Sequence, residues 1–157
     1  GGHLAASGNV LPDLLDALQE WHIPAGPPVS YGREQFGMPF VETLLAGRDD
    51  IRTADLLATI SEWTAITIAT AMHSLPSAPT CVYVSGGGAH NRDLLSRFER
   101  IAGFETKPLD DLGIPGDARE AVAFAVLADA RLRGITFDLR YVTGSQVPQG
   151  LGAITLP

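Results

Sequence analysis

Residues 80–91 read Thr-Cys-Val-Tyr-Val-Ser-Gly-Gly-Gly-Ala-His-Asn: a short apolar run, three glycines, then the head of an amphipathic stretch. The order implies a strand, a bare turn and a helix N-terminus. Gly86, Gly87 and Gly88 can take positive φ and let a ligand approach the main chain without Cβ obstruction. The helix that follows directs free N–H groups and the positive end of its dipole back at the turn, a setting that suits phosphate. A tight turn after a buried strand fits the same residues. Two common phosphate-binding patterns are excluded. No lysine follows the glycines, as a P-loop demands, and Asn91 stands where a dinucleotide fingerprint needs its third glycine. Asn91 also has the chemistry of a helix N-cap.

Three further groups have chemical potential. Glu120 follows Asp117 at capping-box spacing, so it either folds back on its own helix start or offers a carboxylate at the mouth of an apolar helix, able to accept sugar hydroxyls. Arg33, in Gly32-Arg33-Glu34, follows a proline-rich loop and reads as a solvated helix start or a fork for phosphate or carboxylate. His90 stands beside the glycines, while His3, His22 and His73 lie at element ends without partner spacing. No His/Asp/Glu set has metal-ligand spacing, and no serine elbow or Cys/His pair is visible.

The elements that position these groups follow from hydrophobic spacing. Pro12 opens a helix with apolar residues at Leu14, Leu15, Leu18 and Trp21. Residues 23–32 hold three prolines and two glycines and read as loop, and a short helix is expected over 33–45. The longest helix starts at a Thr53 cap and runs to Ser74, with Leu56, Leu57, Ile60, Trp63, Ile66 and Ile68 as its apolar face. After the glycines comes a helix striped by Leu94, Leu95, Phe98, Ile101 and Ala102 and ended by Gly103. A strand over 104–107 follows. Asp117 caps a helix through Arg133 whose apolar centre, 121–130, predicts burial on more than one side. Residues 3–10 read as a strand end or hairpin turning at Gly8-Asn9, and 149–156 as a terminal strand. The fold class is α/β with a mostly parallel sheet, but two or three strands against four or five helices is too few for a normal sheet.

The chain has 157 residues, one domain's worth, with 45% hydrophobic and 18% charged residues, the balance of a globular protein. A net charge of −7 with 11 scattered basic residues argues against nucleic-acid and anionic-membrane partners. The single cysteine, Cys81, lies in the apolar run and reads as a small buried hydrophobe. No charge-free apolar stretch is long enough to span a bilayer, and a cytosolic setting is expected.

Taken in order, the segments resemble the anhydro-N-acetylmuramic acid kinases. The match comprises Gly2-x-x-Ala5-x-x-Gly8-x-Val10 and Pro27-Pro28-x-Ser30-x-Gly32-Arg33-Glu34-x-Phe36. It continues with Val84-x-Gly86-Gly87-Gly88-Ala89-x-Asn91 and Asp117-x-x-Glu120-Ala121-x-Ala123-Phe124-Ala125-x-Leu127-Ala128. It closes with Val142-Thr143-Gly144 and Leu151-Gly152-x-Ile154. The resemblance implies an actin/hexokinase-like ATPase fold and, for residues 1–157, its C-terminal, ribonuclease H-like lobe with the N-terminal lobe absent. It implies ATP and Mg²⁺ as cofactors, with Gly86, Gly87, Gly88 and Asn91 at the nucleotide and Glu120 and Arg33 at the sugar. The implied reaction is phosphorylation of 1,6-anhydro-N-acetylmuramic acid with hydrolytic opening of the anhydro ring, in peptidoglycan recycling. The family's phosphate loop and its general-base Asp, in an Asp-Thr-Gly-Pro-Gly-Asn-type segment, are not found in these residues, so no catalytic residue and no metal ligand is assigned here. The chain alone is therefore expected to be inactive, needing the other lobe or pairing as a homodimer. Where the family usually has Lys-Ser-Thr-Gly-Arg-Glu, this chain has Val29-Ser30-Tyr31-Gly32-Arg33-Glu34, which alters charge and shape there. A non-catalytic, partner-dependent module, or a kinase for another small hydroxylated substrate, remains an alternative.

Overall fold

The computed structural model describes residues 1–21, 32–77 and 79–155, without the Arg33 side chain. Residues 23–31 of the loop expected over 23–32, His22 and the Val29 and Tyr31 departures lie outside the described residues. The architecture is α/β, built on a two-stranded parallel sheet with several helices.

The longest helix, α5 (Thr53–His73), is the spine. On one side it meets α2 (Pro12–Glu20) and α4 (Met38–Leu45), where Leu14, Leu18, Phe40, Leu44 and Trp63 form a buried cluster. Trp21 packs edge-on against Phe40, with ring centroids 4.9 Å apart. On its other side α5 meets α6 (Arg92–Ala102), burying Ala65 and Ala69 against Phe98 and Ala102. The expected α5 face holds at Trp63, Leu56 and Ile60, which join the first cluster, and fails at Leu57 and Ile68. The helix buries Ala58, Thr59, Glu62, Trp63, Ala65 and Ala69, while Leu57 and Ile68 are exposed. On the side toward α6, Ala65 and Ala69 take the contact because small side chains let two backbones approach closely. Thr53 is the first helical residue rather than a side-chain cap.

Residues 3–10 form no hairpin. His3–Ala6 is a helical turn, α1, followed by a strap pressed onto α5. A Cβ at Gly8 would overlap the Ala54 carbonyl. Asn9 N–H donates to Asp55 Oδ1 at 2.7 Å and Leu11 N–H to Thr59 Oγ1 at 3.0 Å. Side chains of α5 thus take the donors that a strand partner would otherwise have satisfied. The helix expected over 33–45 is split at Gly37 into α3 (Arg33–Phe36) and α4, and Pro39 sits in the first turn of α4.

Strand β1 (Cys81–Val84) pairs in parallel with β2 (Glu105–Pro108), Cys81 opposite Glu105 and Val84 opposite Pro108. Between them lie a 3₁₀ turn, Gly87–His90, and α6, whose stripe and Gly103 stop are as expected. Two further 3₁₀ turns, Leu109–Leu112 and Gly116–Ala118, lead into α7 (Arg119–Leu132).

Helix α7 departs most from expectation. It is not buried on several sides: of its residues Ala130 is buried, while Phe124 is 71% and Leu132 77% exposed. Its far end is held by Ile135 N–H on the Ala130 carbonyl, 2.9 Å, and by the returning tail. The expected terminal strand is reduced to one antiparallel bridge, Phe137 with Gln149. The last helical turn, α8 (Arg140–Thr143), ends at Gly144.

Candidate functional site

Both parallel strands end at one hollow of about 270 Å³. Val84, Ser85 and Gly86 line it beyond β1, and Thr106, Lys107 and Pro108 line it at the end of β2. Ligands of open α/β sheets bind beyond the carboxyl ends of strands, where helix starts converge. Gly86 has φ +74 and ψ −170, a conformation open to glycine, and it lets the chain leave β1 sharply into the 3₁₀ turn. A Cβ at Gly86, Gly87 or Gly88 would meet nothing within 4 Å, so no packing inside these residues demands the triplet. The first N–H of that turn with an acceptor inside it is that of Ala89, on the Gly86 carbonyl at 3.0 Å. The N–H groups of Gly87 and Gly88 precede it and have no carbonyl partner within the turn.

The opposite rim is formed by Asp110, Pro115, Gly116 and Asp117. Asp110 Oδ2 accepts from Gly116 N–H at 3.3 Å and folds one 3₁₀ turn onto the next. Across the mouth, His90 Nε2 lies 3.5 Å from Asp117 Oδ1, with both side chains largely in water. The glycine turn and the mouth of α7 therefore share one concavity.

The remaining named residues are distributed around it. Asn91 is not on the lining; its Oδ1 caps α6 by accepting from Leu94 N–H at 3.1 Å. Glu120 is also off the lining, 80% exposed and 3.4 Å from Arg119. The capping box drawn from Asp117-x-x-Glu120 does not form: Ala118 is the N-cap of α7, without a side-chain bond. Asp117 lies in the preceding 3₁₀ turn and faces the hollow instead. Arg33 opens α3, and its side chain lies outside the described residues.

Lys107, Asp110 and Asp117 line the hollow without having been singled out as ligand residues from the sequence. Lys107 is the chain's only lysine, which was the available signal. The hydrogen bond to Glu105, with that carboxylate's charge, raises the Lys107 pKa, so its ammonium stays charged at neutral pH. Strand β2 is fixed to α6 by Glu99, whose Oε1 accepts from Thr106 N–H at 2.9 Å and from the Thr106 hydroxyl. These bonds hold the Glu99 carboxyl below its ordinary pKa. Among the described residues no group of three or more His, Cys, Asp or Glu could hold a metal ion, and no described helix is long and apolar enough to cross a membrane.

Comparison with known proteins gives this geometry a family. The model of the family described as anhydro-N-acetylmuramic acid kinase matches residues 1–157. The anhydro-N-acetylmuramic acid kinase of Synechococcus elongatus is 41% identical over 98% of this chain and 42% of its own length. That of Streptomyces coelicolor is 36% identical over 98% and 39%, and that of Hydrogenovibrio crunogenus 32% over 99% and 43%. The chain thus spans about two-fifths of the length of these curated relatives. A match running from the first residue to the last, through the segments that border the hollow, places this chain in the anhydro-N-acetylmuramic acid kinase family.

Proposed function

We propose that these residues form one wall of the nucleotide cleft of an ATP-dependent sugar kinase, as the C-terminal, ribonuclease H-like lobe of an actin/hexokinase-like fold. The substrate in this reading is 1,6-anhydro-N-acetylmuramic acid, named for the relatives above. The γ-phosphoryl of ATP passes to O6 of the sugar while water opens the anhydro bridge, giving N-acetylmuramic acid 6-phosphate and ADP for cytoplasmic recycling of peptidoglycan.

The observation that supports the reading is the single hollow shared by the glycine turn and the mouth of α7, at the carboxyl ends of both strands. Phosphoryl transfer asks a protein mainly for positioning and for neutralisation of phosphate charge. Of the three glycines Gly86 lines the hollow, while Gly87 and Gly88 lie off its lining, and Lys107 stands on the same lining. Asn91 holds the far end of the glycine turn through its cap on α6, and Glu120 and Arg33 are assigned to the sugar side. Mg²⁺ would supply charge neutralisation on the phosphates. Asp110 and Asp117 alone do not make a cage for it, and no step is drawn through the metal. A second reading, a non-catalytic and partner-dependent module, is favoured by the bare apolar surface of α7.

Calorimetric titration of the chain with ADP tests the nucleotide assignment. Binding by the wild type, weakened about tenfold or more in Gly86→Ala by the strain of a Cβ at φ +74, is the expected result. No heat with either protein would refute it. A coupled ADP-release assay with the anhydro-sugar should show no sustained turnover from these residues alone.

A further inference from the structure

Gly2 reaches the border of the candidate site from outside it. Gly2 has φ +86, and a Cβ there would overlap Asn91 Oδ1 and stand 3.0 Å from both Asn91 Cγ and Asp93 Cβ. Neither neighbour is free to retreat. Asn91 Oδ1 is held by Leu94 N–H at 3.1 Å. Asp93 Oδ2 is held by Arg97 Nε at 2.8 Å, and Arg97 is bonded in turn to Glu62 of α5. Directly after Gly2, α1 buries Ala5 and packs on α5.

We propose that Gly2 is a positioning residue: its close approach to Asn91 and Asp93 forms a strut that seats the His90–Asn91 end of the glycine turn on the α1–α5 body and so fixes one border of the hollow. His90 lines that border and stands opposite Asp117, so displacement at 90–91 alters the width of the mouth. The turn is anchored at two ends by backbone that a side chain would disturb, Gly86 on the strand side and Gly2 from the body. The effect of Gly2 on ligand binding rests on the nucleotide reading above; its effect on the turn does not.

The test compares Gly2→Ala with Gly47→Ala, which carries a similar positive-φ strain at φ +73 with nothing within 4 Å of the added Cβ. Amide hydrogen exchange over residues 87–91 and calorimetric titration with ADP are read on both variants and on the wild-type chain. Gly2→Ala should speed exchange at 87–91 by about tenfold and weaken ADP by a similar factor, while Gly47→Ala leaves both at wild-type values. Equal exchange at 87–91 in Gly2→Ala and wild type, or equal acceleration in both variants, overturns the strut. If Gly2→Ala fails to fold, the double variant Gly2→Ala/Asn91→Ser, which removes Oδ1 yet keeps a capping hydroxyl, decides the matter. Recovery of folding supports the proposal, and failure of both assigns Gly2 to global folding instead. If the wild type takes up no ADP, the nucleotide reading falls while the exchange comparison still judges the strut.

Discussion

Glu62 is the residue through which the α5–α6 packing beneath the site can be tested most directly. Its carboxylate accepts from Arg97 Nη1 at 2.8 Å and from Arg100 Nη2 at 2.5 and 2.7 Å. The Glu62 and Arg97 side chains are 11% and 14% exposed, whereas Arg100 is 60% exposed. The two bonds should therefore differ in worth. The Arg100 pair lies mostly in water and contributes less than about 1 kcal/mol. The Arg97 pair is enclosed, and a hydrogen bond between charged groups there contributes about 1.5–3 kcal/mol. Arg97 keeps Asp93 as a second partner at 2.8 Å, which holds the loss below that of a fully orphaned charge. Glu62→Gln is expected to destabilise by about 2–3 kcal/mol near neutral pH, read as a shift of the urea midpoint at constant slope. The pH dependence is a second check. Burial opposes the Glu62 charge most strongly, but the hydrogen bonds from Arg100 and Arg97 and their charges together outweigh it and lower the pKa. A carboxyl with a depressed folded-state pKa contributes fully above its unfolded value of about 4.3 and loses that contribution as pH falls through the lower folded value. The gap between wild type and variant should thus be widest near neutrality and close in acid. A difference under about 0.5 kcal/mol at neutral pH, or one that persists unchanged in acid, would refute the assignment of net worth to this cluster.

Two further substitutions probe the site and the bare helix. Lys107→Ala should weaken ADP and flatten the salt dependence of its binding, measured by titration at low and high ionic strength, because it removes the chain's only lysine side chain from the hollow's lining. Affinity and salt slope equal to wild type would place Lys107 outside the ligand's reach. Phe124→Asp should change folding stability by no more than about 0.5 kcal/mol, since that ring is exposed, and a clearly larger shift of the urea midpoint would show the ring to be packed.

Elements whose signals are local were legible in the sequence. The α6 stripe, its Asn91 cap and its Gly103 stop needed only spacing and capping chemistry, and all three are present. The same holds for α2 with Pro12 in its first turn, and for β1 and β2 flanking the glycine turn. Misreadings arose where the partner is distant. The 3–10 segment read as a strand end or hairpin on its Gly8-Asn9 turn signal, whereas its backbone donors find their acceptors in Asp55 and Thr59 on α5. The α5 face was legible at Leu56, Ile60 and Trp63, which pack in the first cluster, but not on the side toward α6, where close approach selects Ala65 and Ala69. The apolar centre of α7 promised burial, but among the described residues nothing covers Phe124 or Leu132. For the site, the glycine turn was visible and the opposite rim was not. Asp117 was read as a cap because spacing cannot tell a side chain that closes its own helix from one that faces a concavity.

The stretch from β1 to β2, residues 81–108, is a complete strand–helix–strand crossover with the glycine turn inside it. Its pairings join residues close together along the chain, so forming them closes only a modest loop, and short-range topologies assemble fast. The floor of the hollow is then expected to form early, with Phe98 docking on α5 soon after. The rim contributed by residues 110–117 is held by one side-chain contact within itself and a long pair to His90, and it should order last. A chain built in that sequence has a preformed base and a late, yielding lip, which leaves the entrance as the part that a bound molecule would finish shaping.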